Sequence, residues 1–218
     1  MFFEFLFPKH CVFCRRVLAK GEEDLCVRCV CELGFNLVPL NKLAEKVGNL
    51  NVENYDIFMD FKFCRNALEK FKYGSRLYYG RVLANLWAER LKEFEWARNA
   101  DWIIPVPMNR WELLARGFNH NEFLCGVLAK ELGVPLCRKA VIAKLKKTSQ
   151  VESSDRWENI KGAFSLNEKM RKKLEDKRVI IIDDVITSSA TVNEILYVLR
   201  SIEGLKVSLA FLSMESKF

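Results

Sequence analysis

No apolar run in this 218-residue sequence approaches the roughly 18 residues of a membrane-spanning helix, so membrane insertion is not expected. The opening MFFEFLF lacks a basic start and a small-residue cleavage site and is broken by Glu4, so it does not read as a signal peptide. Internal repeats and low-complexity tracts are missing as well, which sets aside repeat arrays and disordered linkers. A chain without an export signal is expected in the cytoplasm, where thiols stay reduced. A one-sided charge is lacking over most of the chain. Residues 138–178 hold thirteen Lys or Arg against six Asp or Glu, and that surplus equals the formal net charge of +7. Such a segment can meet a polyanion, a pyrophosphate or only water.

What is present begins with cysteine. Cys11, Cys14, Cys26 and Cys29 form two C-x-x-C pairs, each able to place two thiolates on one metal from a tight turn. Together they predict a closed four-thiolate Zn2+ site, structural because no coordination position is left open. His10 and Cys31 flank the tetrad and stand as alternative ligands. Cys64, Cys125 and Cys137 lie singly in apolar surroundings and are expected as buried thiols. Half of the residues are hydrophobic, enough for a sizeable core beside this module. The expected division is a zinc module over residues 1–40 and an α/β domain over 41–218.

The most informative stretch is VIIIDDVITSSAT at residues 179–191. Four β-branched residues predict a short strand buried on both faces of a parallel sheet, with Asp183 and Asp184 at its carboxyl end. That edge is where ligands bind in open α/β sheets. Thr187, Ser188, Ser189, Ala190 and Thr191 follow, then a helix with Val192, Ile195, Leu196, Leu199 and Ile202 at helical spacing, ending by Gly204. Its N-terminus offers amides and a positive dipole end to a phosphate. On the plainer alternative, the two acids are turn residues and Thr191 caps the helix.

Elsewhere, residues 56–63 alternate and predict a strand of an antiparallel pair. Helices are expected over 65–73 and 81–94, separated by Gly74. Residues 102–106 read as a buried strand closed by Pro105 and Pro107. Asn119 or Asn121 can cap a helix that runs to Gly133. Residues 134–145 supply one or two strands, a Lys-rich helix surrounds 171–173, and 207–214 form the last strand. The alternation of strand and helix predicts a doubly wound parallel sheet.

Residues 179–191 resemble the phosphoribosyl-pyrophosphate (PRPP) motif of type I phosphoribosyltransferases. The resemblance implies that Asp183 and Asp184 accept hydrogen bonds from ribose hydroxyls. It also implies that Thr187, Ser188, Ser189, Ala190 and Thr191 hold the 5-phosphate. Ser189 stands where that family usually has glycine. PVP at 105–107, RGFN at 116–119, Gln150, RWENIKGAF at 156–164 and the DDV motif follow the order of ComF-type competence proteins. Those proteins also have an N-terminal C-x-x-C module and an F-K-Y-G-like element, matched by Phe71, Lys72, Tyr73 and Gly74. Trp111 and Glu112 depart from the arginines usual after PVP, and the spacing from Gln150 to Arg156 is shorter.

By this resemblance the fold is an α/β type I phosphoribosyltransferase-like parallel sheet flanked by helices, with a small N-terminal four-cysteine zinc module. The implied chemistry is displacement of pyrophosphate from C1 of PRPP by a nitrogen nucleophile, with Mg2+ accompanying PRPP. Arg110 and Arg116, together with Lys146 or Lys147, would neutralise the pyrophosphate. The implied setting is natural transformation, with single-stranded DNA and the DNA-uptake or recombination machinery as partners. Two classes of function remain: an enzyme that uses PRPP, and a nucleic-acid-handling protein whose cavity senses or retains a phosphorylated ribose.

Overall fold

The computed structural model describes residues 8–35, 37–38, 52–74, 76–144, 160–187 and 189–215. At its centre β5 (Arg178–Ile186) pairs with β6 (Lys206–Met214) on one side and β2 (Trp102–Pro105) on the other. β1 (Asn54–Asp60) adds to the far side of β6, giving the order β1-β6-β5-β2 with every pairing parallel. Alternate residues of β5 serve opposite faces: Ile180 and Ile182 join one buried cluster, Val179 and Ile181 the other. This two-sided burial is what an uninterrupted β-branched run demands of a parallel sheet.

Helices cover both faces. One face carries α2 (Phe61–Tyr73), α3 (Leu77–Lys92) and α6 (His120–Leu132), whose apolar sides bury Leu68, Phe71, Leu83, Trp87, Leu124 and Leu128. The short α4 (Glu95–Arg98) follows α3. The other face carries α7 (Glu168–Leu174), α8 (Ala190–Leu199) and an antiparallel pair of β3 (Val141–Ala143) with β4 (Phe164–Leu166). Among the described residues, no helix is long and apolar enough to cross a membrane.

The structure changes parts of this reading. Residues 56–63 are not one strand of an antiparallel hairpin: β1 ends at Asp60 and pairs in parallel with β6, while Met59 makes an isolated antiparallel bridge to Leu37. The Asp60 side chain accepts the Lys62 N–H at 2.7 Å and caps α2, so Phe61 and Phe63 are helical and their apparent alternation was a coincidence of the junction. A seven-residue helix, α5 (Arg110–Arg116), lies between β2 and α6, where the sequence pattern assigns no element. Asn109 caps it by accepting the Glu112 N–H at 2.9 Å, and Gly117 ends it in the left-handed region at φ 76°. None of its residues is buried, so it has no core-facing stripe to betray it. The last helix closes at Leu199, short of Ile202. The expected boundary at residues 40/41 lies outside the described residues.

The cysteine module does not stand apart. Cys26 and Cys29 lie at the start of α1 (Val27–Phe35), with Cys29 in its first turn. Cys11, Val12 and Phe13 share one buried cluster with residues of α2 and α3. Phe13 packs on Phe63 with ring centroids 4.6 Å apart. Arg15, at φ 68°, turns the chain after the first knuckle and donates to the Tyr79 hydroxyl at 3.1 Å.

Candidate functional site

The four expected thiols converge. Sγ atoms of Cys11, Cys14, Cys26 and Cys29 all lie within 4.8 Å of one another, so this cluster can hold a metal ion. The Cys26 amide donates to Cys11 Sγ at 3.4 Å, an interaction that favours thiolate. Burial works against ionisation of Cys11, but N–H groups of Cys26, Cys14 and Phe13 bring it down to about 7. His10 and Cys31 are exposed and fall outside the cluster. Cys64, Cys125 and Cys137 are buried, as expected of structural thiols, and burial raises all three.

The second site is a cavity of about 620 Å³ at the carboxyl end of the sheet. Asp183 and Asp184 line it from β5, facing Arg110 and Arg116 of α5, with Thr191 in the first turn of α8. The strand runs through both acids to Ile186, so they are strand residues rather than turn residues. Successive strand residues point oppositely, and the two carboxylates therefore meet different surroundings.

Asp184 is buried and bound from two elements. Lys72, near the end of α2, places Nζ 2.5 Å from its Oδ2, and His120 Nε2 approaches the same oxygen at 3.1 Å. A guanidinium has no acceptor, so the 2.9 Å approach of Arg116 to His120 Nδ1 is a donation to the ring, which puts the ring proton on Nε2, towards Asp184. Arg116 also lies over the Tyr73 ring, 5.2 Å from its centroid. Burial opposes the Asp184 charge, yet Lys72 and His120 outweigh it and hold the carboxyl well below its ordinary range.

Asp183 makes no ion pair among the described residues. Its Oδ1 accepts Asn121 Nδ2 at 2.8 Å and the Asp184 amide at 3.0 Å. Burial and the neighbouring Asp184 charge push its carboxyl up to about 7. The pair thus divides into one fixed anion and one group that titrates near neutrality.

The cavity gathers Asp183, Asp184, Arg110, Arg116 and Thr191, while Thr187, Ser189 and Ala190 do not line it. Ser188, Lys146, Lys147, Gln150 and Trp157 lie outside the described residues. Ser189 has φ −76°, a conformation open to any residue, so glycine is not required there. The Ser189 side chain makes no capping hydrogen bond to α8. Sequence reasoning missed Lys72, His120 and Asn121 as site residues. Lys72 was visible in the F-K-Y-G element, and His120 and Asn121 directly follow RGFN.

Parallel strands with helices on both faces, and acids at the carboxyl end of β5, match a phosphoribosyltransferase-like fold. Residues 123–215 match the family model of the phosphoribosyl transferase domain. The chain is 30% identical over 141 residues to Competence protein F of Haemophilus influenzae, covering 62% of this chain and 61% of that protein. It is 26% identical over 197 residues to DNA utilization protein YhgH of Salmonella typhi, covering 85% and 81%. It therefore spans about three-fifths of the length of Competence protein F. The resemblance to ComF-type competence proteins is borne out. Glutamine PRPP amidotransferase from B. subtilis aligns with a TM-score of 0.45 at 20% identity, over 66% of this chain and 30% of that one.

Proposed function

We propose that this protein is a ComF-family component of natural transformation, acting in the cytoplasm and binding PRPP in the cavity at Asp183 and Asp184. The observation that supports this most is the placement of the two acids in one cavity with Arg110 and Arg116 and with Thr191 from the first turn of α8. Anionic ends of a sugar phosphate suit the amides and guanidinium groups, and its hydroxyls suit the carboxylates. Lys146 and Lys147 would join the arginines at the pyrophosphate. Thr187, Ser188, Ser189, Ala190 and Thr191 would surround the 5-phosphate. Asp184 is already neutralised by Lys72, so Mg2+ would reach the site on PRPP oxygens and water, with few protein ligands. Zn2+ is the ion that best suits four thiolates, in a structural role.

Single-stranded DNA is the second partner in this reading, met by the basic segment 138–178, with the DNA-uptake or recombination machinery beyond it. Thermal denaturation with PRPP and Mg2+ tests the cavity. The expected result is a raised melting temperature that vanishes in Asp183→Ala/Asp184→Ala while the variant stays folded; an unchanged shift rejects the site.

The nearness of two carboxylates to the arginines also favours a second reading, an active phosphoribosyltransferase passing ribose 5-phosphate to a nitrogen acceptor. Pyrophosphate release from PRPP with candidate acceptors, with and without single-stranded DNA, separates the two.

A further inference from the structure

Asn121 stands in the first turn of α6 and is only 4% exposed. Its amide hydrogens have two acceptors: Asp183 Oδ1 at 2.8 Å and the Val106 carbonyl at 3.3 Å. Turning the amide over would set its oxygen against both of them, so the network fixes its orientation. Oδ1 is then left buried without a hydrogen-bond partner among the described residues, on a side chain that lines the same cavity as both acids. An unsatisfied buried acceptor destabilises the site that holds it. A donor supplied by a ligand removes that cost.

Asp183 presents the matching half. Among the described residues both donors that reach it fall on Oδ1, which leaves Oδ2 for a ligand. An amide and a carboxylate thus stand side by side, joined by one hydrogen bond, each with an acceptor to fill. A phosphate brings mainly acceptors of its own and fits poorly. Two hydroxyls on adjacent carbons bring the donors required.

We propose that Asn121 Oδ1 and Asp183 Oδ2 together read the vicinal hydroxyls of a ribose, so that the cavity selects ribose over the deoxyribose of DNA. This rests on the reading of the cavity as a phosphoribosyl site and names the residue that decides which sugar enters it. A site built to pair a hydroxyl disfavours the analogue lacking it, because its own buried groups are then left unpaired. DNA sugars are accordingly kept out, and single-stranded DNA is held on a different surface from the cavity.

The test is calorimetric titration of the full chain with ribose 5-phosphate, 2-deoxyribose 5-phosphate and xylose 5-phosphate, the last inverted at the 3-hydroxyl. The wild type is expected to bind ribose 5-phosphate about tenfold or more tightly than either analogue, the worth of one buried hydrogen bond. Asn121→Leu, which keeps the side-chain shape without the acceptor, should narrow that preference about tenfold while retaining binding driven by the phosphate. Asn121→Ala serves if the leucine variant does not fold. Equal wild-type affinity for all three sugars overturns the inference, as does an undiminished preference in the Asn121 variant. No binding of any of the three rejects the phosphoribosyl reading itself, and the inference with it.

Discussion

Lys72 Nζ lies 2.5 Å from Asp184 Oδ2, joining the end of α2 to the central strand of the sheet. Both side chains are largely buried, and the ammonium holds the carboxylate in its charged form. The F-K-Y-G element and the acidic pair, far apart in sequence, form one electrostatic unit.

Lys72→Met is therefore expected to leave Asp184 buried and short of its main counter-charge. The expected cost is about 3 kcal/mol of folding stability, read from urea denaturation. The double variant Lys72→Met/Asp184→Asn should recover part of it. Simple additivity of the two changes would mean that the pair is not coupled.

Asp183 sets a pH dependence of its own. Its folded carboxyl titrates at about 7, whereas an unfolded aspartate does so near about 4. Between these values the folded state keeps a proton that the unfolded chain has released, so this group's stabilisation is full below about 4 and declines up to about 7. Asp183→Asn should flatten that decline and be more stable than the wild type at about pH 8, above the folded value. Asp184 works the other way: its contribution is present above about 4 and is lost on acidification. A pH series of melting temperatures on both variants checks the signs.

Elemental analysis should find about one zinc per chain, the stoichiometry of a closed four-thiolate site. Changing all four cysteines to Ser should remove it. Because Phe13 packs on Phe63 and the cysteines share the cluster of α2 and α3, stripping the metal should lower the melting temperature of the sheet domain as well.

Single-stranded DNA should bind with little sequence preference and weaken steeply with salt. Arg171 donates to both Glu168 and Ser201, which gives it a structural role, whereas Lys172 and Lys173 are exposed. Lys172→Glu/Lys173→Glu should reduce affinity and shrink the salt slope by about 0.7 for each phosphate that is no longer neutralised. An unaltered slope assigns both lysines to solvent.

The central sheet was legible because Val179, Ile180, Ile181 and Ile182 can be accommodated only where both faces are covered. The cysteine cluster was legible because its spacing is itself the geometry. The direction of β1 was not, since alternation reports which residues are buried and not which strand lies alongside. Half the site was visible as motif residues on β5 and α5. Lys72, His120 and Asn121 were hidden because each also satisfies a local pattern, the last turn of a helix or the first, and only the tertiary fold turns them towards the acids.

Helix α2 touches both sites. Phe63 near its beginning rests on Phe13 of the cysteine module, and Lys72 near its end meets Asp184. A helix of 13 residues is about 20 Å long. The ring contact at one end and the ammonium at the other thus tie the thiol cluster and the charge inside the cavity to a single rigid span.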